Sequence, residues 1–581
     1  MKLKVSPYVI VLVLFLIVYS FWISATFDTI QLSYDESRHA AGGMIWHDYI
    51  KTILFDSYVP FDEFVNKYQQ MGYNAGWFAN IDPPIDGLIR ALFYFIFGPT
   101  FFAIRFMALI CSIISAILVY IIALRATKKE IVALSSSIIL IMSTLFYMYS
   151  AIQALAPIPI AMMTLFWYYF TFVRAVKKNY RIKFFKDFYV NFSWNILIGG
   201  LFLTLATLIQ YSGALFIDIF FVIYFIYLIL AKYWEDKKEA GYKLNWKILG
   251  DSGALQIIFV AFLQNLVFLL ISYQWLKYNL FDNHFLERII TTSSQEIRDC
   301  THDLNYLSLN YPWMGRGTLF SNFTYMIHGY LQRTLFFTLF FFYVIYLLIK
   351  GKIEDKETRK QMVIISLFFL AIYLYFSLRM SNHQIRYIVH AFPLVIIASA
   401  YGLYSLVDLT FKKRQKIIYF LVILTFVVSL FLVDIWMYNK TYQDSGEKND
   451  QLLDYLKSKQ DFKILLHAPG TGSSETPNPT KSWYYNPDYV MFTFMRAKQG
   501  YNPFVFKQQA PLFEYRRDSL EAVDYNAKNL AEQLKGVRNI PIYVVVYRYH
   551  ESEFYNRWGH NFLENGFSIQ NLTYWTIYYK E

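Results

Sequence analysis

The 581-residue chain has two cysteines, and its charged residues make up only 17% of the total. Cys111 falls in an apolar run and Cys300 in a polar loop, badly placed to pair, so no disulfide framework is expected and the redox compartment is unreadable. So little charge excludes a chain built mainly of water-soluble domains. A Walker motif, a GxGxxG turn, zinc-ligand spacing and internal repeats are all missing, which removes the readiest nucleotide- and metal-binding readings. The net charge of +12 does not mark a nucleic-acid partner, because the basic residues cluster in short loops between apolar runs.

What is present points to a bilayer. Hydrophobic residues are 56% of the chain, and the mean hydropathy is +0.31. The 55 phenylalanines and 50 tyrosines suit a protein that crosses many membrane interfaces, where amphipathic rings settle. Residues 8–26 form a first span after Lys2 and Lys4. Small residues at Ser24 and Ala25 allow a cleaved signal peptide, but the stretch is long for one and reads as a retained anchor. Further spans are expected at 101–124, 131–149, 157–173, 193–209, 213–231, 254–273, 335–349, 362–378, 387–407 and 417–438, making about eleven.

Charge sets their orientation. The N-terminus and the loops at 125–130, 174–188, 232–248, 350–361 and 408–416 hold about 25 Lys and Arg. The alternate connections, 27–100, 150–156, 210–212, 274–334 and 379–386, hold about 11 over more than twice the length. The N-terminus is therefore expected inside and residues 439–581 outside. The run 85–98, apolar but short and carrying Asp86 and Arg90, reads as an interfacial or half-buried helix in the first outer loop. The tail turns polar, with helix-like DQLLDYLKSK and strand-like FKILLHA and IPIYVVVY. The expected architecture is thus an α-helical polytopic membrane domain, 1–438, with outer loops 27–100 and 274–334, followed by a small extramembrane α/β domain, 439–581.

The stretch SYDESRHAAGGMIWHDYIK carries the first candidate chemistry. Asp35 and Glu36 lie just beyond the first span at a helix start, where free N–H groups keep a carboxylate ionised. Helical spacing puts Asp35, His39, Gly42 and Trp46 on one face: a carboxylate, a proton partner, room for a ligand and an aromatic platform. The plainer reading is an N-cap with an ordinary i,i+4 pair. Arg379 and Arg386 bracket a short outer loop containing His383, and they serve either a phosphate or helix-end anchoring. Asp218, inside an apolar run, pairs with a buried Arg such as Arg105 or touches substrate. Asp299, His302 and Asp303 read as a chance cluster rather than a metal site. The long loop 274–334 is a candidate acceptor cover.

From Asp82 to Lys129 the order of motifs resembles the GT-C superfamily of membrane glycosyltransferases, on the branch of protein O-mannosyltransferases and the lipid A aminoarabinose transferase. The motifs are Asp35-Glu36 after the first span, Asp82-Pro83-Pro84, Ile96-Phe97-Gly98, Ala103-Ile104-Arg105, and later Arg386-Tyr387 with Pro393. That resemblance implies a polyprenyl-phosphate-linked sugar as donor and a hydroxyl on protein, lipid or polysaccharide as acceptor. It also implies inverting transfer at the outer face of a bacterial or archaeal plasma membrane. It makes Asp35 the base and Glu36 its partner, and it offers Arg386, Arg379, His383, Arg105, His39, Asp82 and Asp218 as substrate contacts.

Three departures stand out. Asp82 replaces the family's His or Lys before Pro-Pro, and Gln210 replaces a frequent Lys. The second outer loop, YSAIQALAPIP, lacks acid and Arg, so no cofactor is called for and a two-loop divalent metal site is unsupported. The rival readings are a transporter or lipid flippase and an inactive scaffold. The sequence shows neither the inverted repeats nor the broken midplane helices that mark many transporters.

Overall fold

The computed structural model describes residues 6–27, 34–70, 84–147, 157–171, 180–209, 222–233, 254–273, 334–379, 389–457, 463–467, 512–516, 542–547, 555 and 563–580, apart from a few positions within those ranges. The chain is mostly helical: α1 Pro7–Ser24, α2 Tyr34–Phe55, α3 Phe61–Gln70, α4 Pro84–Phe97, α5 Phe101–Thr127, α6 Glu130–Met142, α7 Pro157–Thr171, α8 Trp194–Ile209, α9 Ala254–Ile271, α10 Leu339–Ile349, α11 Lys356–Arg379, α12 Phe392–Thr410 and α13 Gln415–Lys457. Residues 222–230 are also helical. Five described stretches are long and apolar enough to cross a bilayer: Pro7–Ser24, Phe101–Thr127, Ala254–Ile271, Val389–Thr410 and Gln415–Ile435. Shorter apolar helices, such as Glu130–Met142 and Leu339–Ile349, fall within other expected spans.

Three expectations change. The span at 131–149 breaks at Ser143, whose backbone is extended (φ −68°, ψ 129°). Its hydroxyl donates to the Leu140 carbonyl and accepts from the Phe146 amide, a local bond that competes with the helix ladder. The basic loop at 174–188 holds part of a hairpin, β1 Tyr180–Phe185 antiparallel to β2 Phe188–Phe192, where apolar and basic residues alternate with the period of a strand. The helix that carries the last span, apolar to Ile435, does not end near 438. α13 runs on for 43 residues, about 65 Å, through the expected domain boundary. No proline interrupts it, and the lone Gly446 costs a helix only about 1 kcal/mol.

Among the described residues, the start of α1, the basic turn at 125–130, the basic segment at 350–361 and the end of α12 meet at one end of the bundle. Ser6 donates to Glu130 at 3.0 Å, Lys128 pairs with Asp355, and the Thr358 hydroxyl donates to the Ala126 carbonyl at 2.7 Å. Lys129 lies over the Tyr404 ring, 5.7 Å from its centroid. These contacts join the start of α1, the α5–α6 turn, the start of α11 and the last turns of α12. α5, with 27 residues, is about 40 Å long, so its N-terminus lies at the far end.

Beyond α13, a five-stranded mixed sheet has the order β4-β3-β5-β7-β6, built from β3 Lys463–His467, β4 Leu512–Arg516, β5 Ile542–Tyr547, β6 Ser568–Asn571 and β7 Trp575–Lys580. The two strands anticipated from the sequence, β3 and β5, are parallel neighbours with Lys463 opposite Ile542. The sheet touches the polar half of α13: the Tyr574 amide donates to the Gln451 side chain at 3.0 Å, and Tyr455 meets Tyr543 edge-on.

Candidate active site

The site is built on two helices from the first inter-span segment. α4 follows Pro83-Pro84, and proline at a helix start suits the missing N–H and fixed φ. Its 14 residues are about 21 Å long, short of the roughly 30 Å hydrocarbon core. One side buries Asp86, Gly87, Arg90, Ala91 and Tyr94, while Leu92 and Ile96 are exposed. Below it, Ile85, Ile89 and Phe93 pack against Met107 of α5, Ile158 of α7 and Ile209 of α8. α4 therefore caps the bundle at the end opposite the basic loops.

α2 crosses α4 with the backbones close, because glycine stands at both contacts. A Cβ on Gly43 would lie 2.6 Å from Arg90 Cβ, and one on Gly87 would lie 2.1 Å from the Trp46 ring. Gly43 makes the room for this crossing. Trp46, anticipated as an aromatic platform, fills the space at Gly87 and stacks on Phe61 at 4.3 Å.

Around this crossing lies a buried charged cluster. Asp86 accepts a fork from Arg90, Nε to Oδ2 at 2.8 Å and Nη2 to Oδ1 at 3.2 Å. His39 Nδ1 sits 3.2 Å from the same Oδ2. The side chains are 1% (Arg90), 5% (Asp86) and 13% (His39) exposed. Burial by itself pushes the pKa of Asp86 up, but the Arg90 charge and the His39 and Arg90 hydrogen bonds prevail and hold the carboxyl well below the usual carboxylate range. Tyr94 closes the layer by donating to the Ala40 carbonyl at 3.1 Å. Removing two ions from water costs several kcal/mol each, so this pairing argues for placement of charge rather than for stability.

Of the residues singled out in the sequence, His39 is in this cluster. Asp35 and Glu36 are in the first turn of α2, one turn before His39, their side chains outside the described residues. Arg105 is fully buried near the start of α5. Arg379 ends α11, with its side chain outside the described residues. Asp82, Asp218, His383 and Arg386 lie outside the described residues altogether, as do Asp299, His302 and Asp303. Asp86 and Arg90 were noticed in the sequence only as charges that disfavour a span. The available signal was their i,i+4 spacing inside an apolar helix, where a lone charge is costly and a pair is purposeful. Asp434, near the end of the apolar half of α13, is also buried, with the Thr144 and Tyr19 hydroxyls as its polar neighbours. Among the described residues no three His, Cys, Asp or Glu side chains form a metal-binding group.

Comparison with known proteins agrees with this architecture. Residues 82–259 match the family described as dolichyl-phosphate-mannose-protein mannosyltransferase, a stretch that opens on the Asp-Pro-Pro motif and α4. ArnT from Cupriavidus metallidurans, solved in the apo state, superposes with a TM-score of 0.53 at 11% identity, over 99% of this chain and 98% of that one. AglB, an archaeal oligosaccharyltransferase from Archaeoglobus fulgidus solved with an inhibitory peptide and a dolichol-phosphate, gives 0.46 at 12% identity, over 100% of this chain and 74% of that one. Among curated protein sequences none matches this chain. The family match covers residues 82–259 of the 581, and five described stretches are long and apolar enough to cross a bilayer. Over almost the whole length its helical fold is similar to that of ArnT.

Proposed function

We propose that the protein transfers a sugar from a polyprenyl-phosphate-linked donor to a hydroxyl acceptor at the membrane face opposite its basic loops. The observation that carries this reading is the α2–α4 crossing. It sets the helix start bearing Asp35 and Glu36 on the helix that opens the family-matched segment, at the end away from the Lys/Arg-rich turns. A donor of this class has its phosphate at headgroup depth, and α4 is too short to lie anywhere but at such an interface or within the protein.

In the reaction, the acceptor oxygen forms a bond to the anomeric carbon from the face opposite the phosphate. The carbon–oxygen bond to phosphate breaks with its electron pair, and polyprenyl phosphate leaves with inversion. Asp35 takes the hydroxyl proton, a contribution of roughly 10²–10⁴-fold, and Glu36 orients Asp35 or the acceptor. Arg386 and Arg379, with His383 and Arg105 behind them, balance the charge that grows on the departing phosphate. Asp82 and Asp218 contact the substrate.

The test uses the purified full chain in proteoliposomes, with polyprenyl-phosphate mannose as the first donor and an acceptor-bearing membrane extract. Acceptor-dependent release of polyprenyl phosphate is measured. Asp35→Asn should lower turnover by roughly 10²-fold or more. Since Asn caps a helix about as well as Asp, a fully active Asp35→Asn protein would reduce Asp35 to a structural role.

A further inference from the structure

The cluster beside the proposed base has a polarity of its own. Arg90 engages both oxygens of Asp86, so the carboxylate is ionised and can only accept hydrogen bonds. Its contact with His39 is through Nδ1, which must then carry the proton. A neutral imidazole with Nδ1–H held in this way leaves Nε2 as the acceptor. The ring stands on α2 four residues after Asp35, where i,i+4 side chains start about 5–6 Å apart. It also remains 13% exposed, whereas Asp86 and Arg90 are sealed.

We propose that Asp86 is a positioning residue that fixes His39 in the Nδ1–H tautomer, so that Nε2 receives the proton that Asp35 removes from the acceptor. This rests on the transfer reading above. The acceptor O–H bond breaks as its oxygen bonds to the sugar. The proton passes to the Asp35 carboxylate and then to His39 Nε2, returning Asp35 to its ionised form, while the electron pair of the broken sugar–phosphate bond leaves on polyprenyl phosphate. The imidazolium so formed is stabilised by the Asp86 carboxylate. Arg90 holds Asp86 through its forked hydrogen bonds.

A helix clamp without this role would use the same contacts, and the test separates the two. Turnover and donor KM are measured in proteoliposomes with polyprenyl-phosphate mannose for Asp86→Asn, Asp86→Asn/Arg90→Gln, His39→Ala and His39→Ala/Asp86→Asn, together with heat stability. Asp86→Asn should lower kcat by roughly 10–100-fold with donor KM little changed, the scale on which orienting partners act. The Asp86→Asn/Arg90→Gln pair removes the stranded guanidinium and should recover heat stability but not kcat. His39→Ala should lower kcat alike, and adding Asp86→Asn to it should cost little more, because the two act as one unit. Parental kcat in the Asp86→Asn/Arg90→Gln protein would overturn the inference and leave a clamp. Full and independent loss from Asp86→Asn in the His39→Ala background would overturn it too. A fully active Asp35→Asn protein defeats the catalytic-base reading. An inactive Asp35→Asn beside an active Asp86→Asn/Arg90→Gln protein defeats this inference alone.

Discussion

Adding one methyl group to α2 at Gly43 tests the geometry of the whole site. In Gly43→Ala the new Cβ would sit 2.6 Å from the Cβ of Arg90 and 3.2 Å from the Tyr94 ring. Arg90 Cβ is fixed to the α4 backbone, so no side-chain rotation relieves the first contact. The helices must separate by about 1 Å to reach ordinary packing distance. Overpacking of this kind costs about 1–3 kcal/mol, and up to about 1 kcal/mol returns from the better helix propensity of alanine. The net loss of stability is therefore about 3 kcal/mol at most. The larger effect falls on catalysis, because α2 carries Asp35 and His39 while α4 carries Asp86. A misplacement of about 1 Å costs on the order of 10²-fold in rate. Gly87→Ala acts from the other side: the Trp46 ring, 2.1 Å away, is wedged against Phe61 and cannot swing clear. Turnover in proteoliposomes and thermal unfolding followed by detergent size-exclusion would be measured together. Both variants should remain folded at 25 °C yet lose about two orders of magnitude in turnover. If both keep parental turnover and midpoint, α2 and α4 do not cross through these glycines and the site is built differently.

Two further outcomes follow from charges outside the cluster. Arg386→Ala should strongly raise the donor KM, and Arg386→Lys should restore only part of it, since a point charge replaces a fork; equal activity in both would make Arg386 a helix-end anchor. Asp355 is held down to about 2 by its hydrogen bond from Lys128, then by the amide and hydroxyl of Thr358. The sign is that of a depressed carboxyl: its stabilisation is present above the unfolded value of about 3.9 and is lost as pH falls toward 2. Because the Lys128 pair is exposed, Asp355→Asn should shift the thermal midpoint little, whereas Asp355→Ala, which also removes the cap on α11, should cost about 1 kcal/mol. Equal shifts for the two variants in a thermal melt would show that charge, and not capping, matters there.

Residue order alone determined the membrane class, because apolar runs long enough to span, separated by alternately basic loops, leave the backbone no other way to satisfy itself in lipid. It also located α4 and the strands β3 and β5, since apolar stretches ending at Pro-Pro or in polar turns are local signals. It did not reveal the hairpin in the basic loop, where short alternating runs compete with charge, nor the long continuation of α13, where polarity changes while helix propensity does not. The partner of His39 was legible only in three dimensions. Asp86 is 47 residues away, and which face of α2 meets α4 depends on rotation about each helix axis. Periodicity of the sequence leaves that rotation uncertain by about a residue, too coarse to single out Gly43 as the contact with Arg90. Tertiary packing decided it, because Gly43 and Gly87 let α2 and α4 come close enough to bury Arg90, Asp86 and His39 in one hydrogen-bonded group.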